Sequence, residues 1–298
     1  MVLVSVVIPV FNREKTILQT LNSVLEQEFE NWECLVVDDG SSDDSVSIIT
    51  KVCERDKRVR LIERPANRNK GASCSRNIGL EHASGKYIQF LDSDDLLAPN
   101  KLQVQVNKLE SMSGALALCP WSRFRSDEPL GVGSPRLNCI DHFKPAIKIL
   151  SCFGQERSFT PLHSFLIPSS IIVDAGRWDE GLTVNDDGEF MTRIFLRSEC
   201  IVPTLDTQVY YRSDSESKLS NLNSKKQCRQ AIKSWKQVEK LLEGLETGQK
   251  SAYLNNAKWE LFKTIPYRVV KLENWRYFKP MVLDSIRALF GLKQKQAV

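Results

Sequence analysis

The chain has 298 residues, 42% of them apolar and 26% charged, and a net charge of +4. This composition is typical of a globular protein with one large or two smaller cores, and it excludes a chain that is disordered throughout. The longest apolar stretches, such as residues 2–10, are far shorter than the roughly 20 residues that cross a bilayer, and the N-terminus lacks a cleavable secretion signal. We therefore expect a cytoplasmic protein.

The eight cysteines form no C-x-x-C pair, and several lie in apolar segments, where a thiol behaves as a small hydrophobic group. We expect buried reduced thiols rather than disulfides or a zinc site.

The first 90 residues alternate between strand and helix patterns. Continuous apolar runs predict strands at 4–10, 34–37, 59–62 and 87–91, and apolar residues at helical spacing predict helices at 14–27, 43–54 and 71–83. Such alternation favours an α/β fold with a mostly parallel central sheet flanked by helices, which binds ligands at the carboxyl ends of its strands.

The rest of the chain is less regular up to residue 161 and helical at its end. We predict a helix with Pro99 in its first turn, a strand at 115–119, loops over 120–161 with a short helix near 146–151, a helix at 187–197, and strands near 165–167, 200–202 and 208–211. Helices follow residue 221, and Pro266 is expected to kink the second of them.

Two acidic clusters follow predicted strands. Asp38 and Asp39 precede Gly40 and Ser41, a pattern suited to a ribose or a uracil-like base, although the same residues could simply turn the chain and cap the next helix. A receiver-type phosphoacceptor site is disfavoured, because residues 4–11 supply no second acidic pair.

The second cluster, residues 92–95, places three carboxylates within four residues directly after an apolar strand. Mutual repulsion would raise the pKa of at least one of these acids, whereas a divalent cation with oxygen ligands would keep them ionised. The D-x-D form of Asp92 and Asp94 therefore indicates a metal site, and we expect Asp95 to be structural.

Two further segments have polar residues near a helix start. In residues 69–79, small residues precede Arg76 and Asn77. Backbone N–H groups and the Arg76 guanidinium could therefore bind a diphosphate. Alternatively, Arg76 could form a structural ion pair. Asp186 and Asp187 precede an amphipathic stretch, where a carboxylate could be a helix cap or a general base.

Taken in order, these segments resemble glycosyltransferase family 2, the inverting enzymes of the GT-A fold that use nucleotide-activated sugars. Residues 6–12 are similar to its opening strand, 38–41 to its nucleoside-binding turn, 69–79 to its N-x-G-x-x-x-A-R-N-x-G segment with Ser75 in place of Ala, and 85–95 to its G-x-Y-I-x-F-L-D-x-D-D strand. The resemblance implies transfer of a sugar from a UDP- or GDP-sugar to an acceptor hydroxyl with inversion, in the synthesis of a cell-surface polysaccharide or glycolipid.

On the donor side, the resemblance implies a role for each matching residue. Pro9, Phe11 and Asp39 would line the nucleoside site, with Arg76 near it or near the diphosphate. Asp92 would face the donor sugar or ribose.

The resemblance also implies that Asp94 would ligate Mg²⁺ or Mn²⁺ bridging the diphosphate. Asp187 would be the base, with Asp186 where Glu is usual, and Trp178 would stand near the acceptor. A His that often follows the family's Tyr-Arg pair is replaced by Asp214, so the remaining metal contact stays open.

The predicted organisation has three parts: a nucleotide-sugar-binding half at 1–112, an acceptor-binding half at 113–220, and a basic helical C-terminal extension at 221–298. The extension holds 16 Lys and Arg against 6 Asp and Glu, whereas residues 1–220 hold 25 against 31. Aromatic residues are interleaved with these cations. The extension therefore either binds the anionic inner face of a membrane that carries a lipid-linked acceptor, or packs on the body of the protein. Nucleic acid is disfavoured, because no recognised binding module accompanies the charge.

Two other functions remain open. A sugar-phosphate nucleotidyltransferase would also bind nucleotide and metal on an α/β sheet, but residues 11–14 lack the glycine expected after its first strand. A non-catalytic nucleotide- or sugar-binding module would be expected to lose acidic residues that are present here.

Overall fold

The computed structural model describes residues 3–127, 136, 138–214, 222–245 and 247–289. The strands are β1 (Val4–Val10), β2 (Trp32–Asp38), β3 (Val59–Glu63), β4 (Tyr87–Phe90), β5 (Leu96–Leu97), β6 (Ala115–Leu118), β7 (Trp121–Phe124), β8 (Phe165–Pro168), β9 (Cys200–Pro203) and β10 (Val209–Arg212). The helices are α1 (Ile17–Leu25), α2 (Ser45–Arg55), α3 (Ala72–His82), α4 (Lys101–Glu110), α5 (Ile149–Glu156), α6 (Ser169–Ala175), α7 (Asp186–Arg197), α8 (Lys225–Leu241), α9 (Thr247–Thr264), α10 (Arg268–Glu273) and α11 (Trp275–Leu289).

A seven-stranded sheet with the order β3-β2-β1-β4-β8-β6-β9 forms the centre of the molecule. The pairs β1–β2, β2–β3, β1–β4 and β6–β9 are parallel, and β8 runs antiparallel to β4 and β6. A small second sheet has the order β5-β10-β7. The predicted α/β fold with a mostly parallel sheet flanked by helices is therefore confirmed.

The sheet is buried on both faces, which explains the unbroken apolar runs of its strands. Every residue of β2 is buried, and α1 packs its apolar stripe on one face of the sheet. Helix α3 approaches the other face very closely: a Cβ added to Gly79 would lie 2.4 Å from Cγ1 of Val7. The glycine therefore lets α3, which carries Arg76, lie directly against β1.

Several elements differ from the predictions. Strand β7 lies where a loop was expected; its pairing partner is β10, far away in the sequence. Helix α6, at 169–175, has no counterpart among the predicted elements, and α5 continues to Glu156. Pro99 precedes α4 rather than starting it, and the chain breaks between α9 and α10 at Pro266 instead of bending.

The expectation of reduced thiols throughout is wrong for one pair. Cys139 and Cys152 form a disulfide, with their Cα atoms 5.6 Å apart, because the segment before α5 folds back against that helix. The other six cysteines are free, and all of them except the half-buried Cys53 are buried. Nothing in the cysteine spacing signals the pair.

The C-terminal helices pack on the body and on one another. Asn256 of α9 donates a hydrogen bond to the carbonyl of Gly154 in α5, and Phe278 of α11 is buried with Val270 and Ile232. Much of the aromatic content of the basic extension is thus used in packing. Within the part of the chain that the structure describes, no helix combines the length and apolarity needed to cross a membrane. The predicted boundary at 220 and the last residues, 290–298, lie outside the described residues.

Candidate active site

The candidate site lies where β1, β2 and β4 end. These strands are parallel neighbours, so their carboxyl ends meet at one edge of the sheet, with Val10 paired to Asp38 and Val7 paired to Phe90. Phe11, Asp39 and Asp92 therefore emerge close together, as the sequence pattern predicts.

The turn after β2 is held by its own carboxylates. Asp38 accepts hydrogen bonds from the backbone N–H groups of Gly40 and Ser41. Asp39 is 8% exposed, and its carboxylate accepts hydrogen bonds from Arg64 Nε and from Gly71 N. Asp39 thus joins the turn to the start of α3.

The loop after β1 is fastened to the same turn. The backbone N–H of Asn12 donates to Ser41 Oγ at 2.9 Å, and Asn12 Oδ1 accepts from Ser42 N at 2.8 Å. Asn12 has a left-handed backbone (φ 52°), a conformation that Asn tolerates better than most residues. The preceding Phe11 is left 49% exposed, so an aromatic surface is open beside the turn.

Arg76 is the centre of the site. Its Nη2 donates to Asp92 Oδ1 at 2.8 Å and its Nη1 to Asp186 Oδ2 at 2.9 Å, and its side chain is only 7% exposed. Partial burial opposes ionisation of Asp92, but Arg76 outweighs this effect and lowers the pKa of that carboxyl. One guanidinium therefore joins the end of β4 to the start of α7.

The indole ring of Trp178 packs against the guanidinium of Arg76. The indole is 3% exposed, stacks on Phe190 with centroids 4.0 Å apart, and has the Arg76 guanidinium 4.5 Å from its ring centre. Its backbone exchanges two hydrogen bonds with the Asn77 side chain. Stacking on Phe190 thus turns the ring towards the core, and a contact of Trp178 with the acceptor stays a prediction.

The neighbouring acids Asp186 and Asp187 have different surroundings. Asp186 is 15% exposed and accepts hydrogen bonds from Arg76 and from Ser73 Oγ at 2.9 Å. Asp187 is exposed and accepts a hydrogen bond from Gly188 N. Protein crowding around Asp187 and the charge of Asp186 raise the pKa of Asp187 to about 6. A carboxylate that water can reach and whose pKa lies near neutrality is suited to accepting a proton.

Arg212 braces the acidic turn from the second sheet. Its Nε donates to the Asp94 carbonyl at 2.7 Å, and its backbone N–H donates to Asp95 Oδ1 at 2.7 Å. Asp95 is 2% exposed, and burial together with Asp94 raises its pKa well above the usual range. His163 Nδ1 lies 3.3 Å from the other Asp95 oxygen. Asp95 is thus enclosed, whereas the Asp94 side chain is partly open to solvent.

Asp214 lies close to this brace. It accepts a hydrogen bond from Ser126 N at 2.9 Å, and Ser126 Oγ accepts one from Arg212. Asp214 thus contacts the residues around Arg212.

Sequence reasoning missed Arg64, Arg212 as a brace, and His163. Each acts on an acidic residue from another part of the chain, and no pattern marks Arg64 or His163. The Tyr-Arg pair at 211–212 was the one available signal for Arg212.

The model of glycosyl transferase family 2 matches residues 5–170, more than half of the chain. The chain belongs to this family. Its curated relatives include an uncharacterized glycosyltransferase of Haemophilus influenzae, 47% identical over 107 residues, which are 36% of this chain and 42% of the relative. The Escherichia coli enzyme WfgD, a UDP-Glc:alpha-D-GlcNAc-diphosphoundecaprenol beta-1,3-glucosyltransferase, is 44% identical over 108 residues, covering 36% of this chain and 41% of the enzyme. The match to this chain thus spans less than half the length of these relatives.

Solved structures share the fold of this family 2 chain. Staphylococcus aureus TarS 1–349 in complex with UDP has a TM-score of 0.68, covering 92% of this chain and 78% of that one at 19% identity. The mannosyltransferase PcManGT of Pyrobaculum calidifontis, in complex with GDP-Man and Mn²⁺, has a TM-score of 0.61, covering 98% and 81% at 15% identity. The predicted GT-A fold is confirmed.

The carboxylate oxygens of the acidic turn at 92–95 suit a hard divalent cation. Among the described residues, no three His, Cys, Asp or Glu side chains are grouped closely enough to enclose a metal by themselves. Mg²⁺ and Mn²⁺ favour oxygen ligands, and Mg²⁺ at phosphate sites takes one or two carboxylates plus phosphate oxygens and water. The partly open carboxylate of Asp94 beside Asp92 fits that requirement.

Replacing Arg76 by Met should lower the free energy of unfolding of this family 2 chain by about 3 kcal/mol. The change leaves the Asp186 side chain, which is 15% exposed, without its cationic partner. The Asp92 side chain is 41% exposed and can be hydrated again. The expected loss of free energy is therefore at the lower end of the range for broken buried ion pairs. Urea denaturation followed by circular dichroism measures the change.

Arg125→Met is the matched control. Arg125 pairs with Asp127 at the surface, where their side chains are 54% and 69% exposed, so the expected loss is below about 1 kcal/mol. Equal losses in the two variants would contradict a structural role for the Arg76 pairs.

Proposed function

We propose that this chain transfers a sugar from a nucleotide diphosphate sugar to an acceptor hydroxyl, with inversion at the anomeric carbon. The observation that carries the proposal is the Arg76 bridge between Asp92 and Asp186. It joins the acidic turn to the start of α7 through one cation, and the N-terminal end of the helix that carries Arg76 binds Asp39 of the nucleotide-facing turn.

The nucleotide binds at the ends of β1 and β2. Phe11, 49% exposed, and Pro9 offer apolar surface to the base, and Asp39 accepts hydrogen bonds from it or from the ribose. In the ligand-free arrangement the Asp39 oxygens are bonded to Arg64 and Gly71, so the nucleotide shares or replaces these donors.

Arg76 and the acidic turn bind the diphosphate and the sugar. The guanidinium supplies fixed donors to the leaving diphosphate, and one well-placed donor contributes roughly 3 kcal/mol to stabilising such a developing charge. Asp92, held by Arg76, faces the sugar or ribose. Asp94 would hold Mg²⁺ or Mn²⁺, which when bound offsets negative charge on the diphosphate.

Asp187 removes the proton from the attacking hydroxyl. Its pKa of about 6 allows it to be ionised at neutral pH while remaining basic enough to accept the proton. Asp186 is less suited to this role, since its Oδ2 already accepts from Arg76 and Ser73. Attack from the face opposite the diphosphate accounts for inversion.

The acceptor is proposed to be a lipid-linked saccharide, in the synthesis of a cell-surface polysaccharide or glycolipid. The name of WfgD states that this relative acts on a diphosphoundecaprenol-linked sugar. In this proposal residues 1–112 bind the donor and residues 113–220 the acceptor.

Donor turnover tests the function. The protein is incubated with UDP- and GDP-sugars and a diphosphoundecaprenol-linked saccharide as the acceptor, with and without Mn²⁺. Released nucleotide is measured, and NMR identifies the anomer of the glycoside formed. Metal-dependent release of UDP or GDP with an inverted product supports the proposal. A retained anomer would contradict inversion, and binding without turnover would indicate a non-catalytic module. In a parallel reaction with added pyrophosphate, formation of UTP or GTP together with a sugar 1-phosphate would indicate a nucleotidyltransferase.

A further inference from the structure

An open cavity of about 630 Å³ lies between α8 and the junction of α10 and α11, and the site described above does not use it. Four cationic side chains line it: Arg229, Lys233, Lys236 and Lys240. All four are exposed, and their spacing of three or four residues puts them on one face of α8.

One acidic residue, Glu273, lines the cavity opposite these cations. It forms an ion pair with Arg229 at 2.7 Å, and their side chains are 40% and 51% exposed. Lys236 donates to the neutral Asn274 side chain at 2.7 Å. The lining therefore has a clear excess of positive charge, which favours an anionic ligand.

An exposed apolar row borders this cavity. Leu272 is 71% exposed and Trp275 is 51% exposed, and they flank the lining residues Glu273 and Asn274 in the chain. Val269 and Leu283 are each 42% exposed. These apolar side chains accompany the cations, a combination that binds the boundary between lipid headgroups and acyl chains.

Helix α8 also contacts the segment that leads to the proposed base. Lys233 Nζ lies 3.3 Å from the Gly181 carbonyl, and Gln237 Nε2 donates to Asp179 at 3.0 Å. Ser234 and Asn185 exchange hydrogen bonds at the residue just before α7. The cationic cavity is thus joined directly to one wall of the candidate active site.

We propose that this face docks on an anionic lipid surface, with a lipid headgroup phosphate in the cavity and the row 269–275 entering the interface. The purpose of the docking, to bring the site to a lipid-linked acceptor, rests on the proposed function, whereas the docking itself does not. The surface is much narrower than the whole basic extension, because Phe278 is buried and Phe262 and Tyr277 pack against it.

Vesicle sedimentation without donor or metal tests the docking. The wild-type chain should bind vesicles of phosphatidylglycerol and phosphatidylcholine and not vesicles of phosphatidylcholine alone. K236E/K240E should weaken binding by roughly thirty-fold or more. Each basic residue near an anionic surface contributes roughly fivefold, so loss of two charges costs roughly thirty-fold and their reversal costs more. L272S/W275S, at exposed positions that need no repacking, should weaken it by roughly tenfold.

K51E/R55E is the matched control, with the same charge change at two exposed positions of α2, and it should bind as the wild type does. Equal weakening in K236E/K240E and K51E/R55E would overturn the proposal, because only net charge would matter. Wild-type binding by L272S/W275S, or equal binding to both kinds of vesicle, would overturn it as well. Binding of inorganic diphosphate in the cavity without vesicle binding would show a soluble anion instead. Vesicle binding without sugar transfer would leave the docking intact and remove the proposed function.

Discussion

Asp187→Asn lowers kcat by about 10² to 10⁴ and leaves donor affinity unchanged, in line with the contribution of a positioned general base. The amide has nearly the shape of the carboxylate but cannot take a proton from the attacking hydroxyl. Asp187 is exposed and bonded to Gly188 N, so the change should not disturb the fold. Transfer assays and calorimetry with UDP measure the two quantities.

The pH profile provides a second readout for the same residue. Because the base must be ionised, kcat/KM of the wild type should fall as the pH drops through about 6, the raised pKa of Asp187. This acidic limb should be absent from the residual activity of Asp187→Asn.

Asp186→Asn is the informative comparison, since it changes a neighbour that pairs with Arg76 and Ser73. It should lower stability and activity together and move the acidic limb to lower pH, because the charge of Asp186 helps to raise the pKa of Asp187. Asp187 would be eliminated as the base if Asp187→Asn kept full turnover, or if the pH profile of Asp187→Asn kept its acidic limb.

Asp94→Ala abolishes the metal-dependent part of donor binding. Asp94 is the partly open carboxylate of the acidic turn, whereas Asp95 is enclosed by Arg212 and His163. Titration of UDP with and without Mn²⁺ should show a gain in affinity for the wild type and none for the variant. The variant should remain folded, because the Asp94 side chain is partly open to solvent and does not fill the core.

Asp174→Ala serves as the control for loss of one negative charge, at an exposed position of α6. It should keep the full metal-dependent gain. Wild-type affinity for UDP and Mn²⁺ in Asp94→Ala would defeat the assignment of Asp94 as the ligand.

The first 110 residues could be predicted well because their signals are local. Strands β1, β2 and β4 are mostly apolar runs, and α1, α2 and α4 each show an apolar stripe, so periodicity locates them. Asp39 and Asp92 could be placed together for the same reason, since parallel strands bring their carboxyl ends to one edge.

The rest depends on pairs that are remote in sequence. Strand β7 is four residues long and pairs with β10, and Cys139 meets Cys152 through a fold of the chain that no motif marks. The burial of Trp178 follows from its stack on Phe190, and an isolated Trp in a sequence does not reveal whether its ring faces solvent. Local patterns carry no information about such contacts.

The brace formed by Arg212 bears on how the protein can be divided. The acidic turn at 92–95 belongs to the first half of the chain. Arg212 and His163, which enclose Asp95, come from the second half, as does Asp186, which pairs with Arg76. A fragment ending at residue 112 would keep the Asp39 turn and lose these three partners. The two proposed halves therefore cannot act as interchangeable modules, and donor specificity could not be transplanted by exchanging the first half alone.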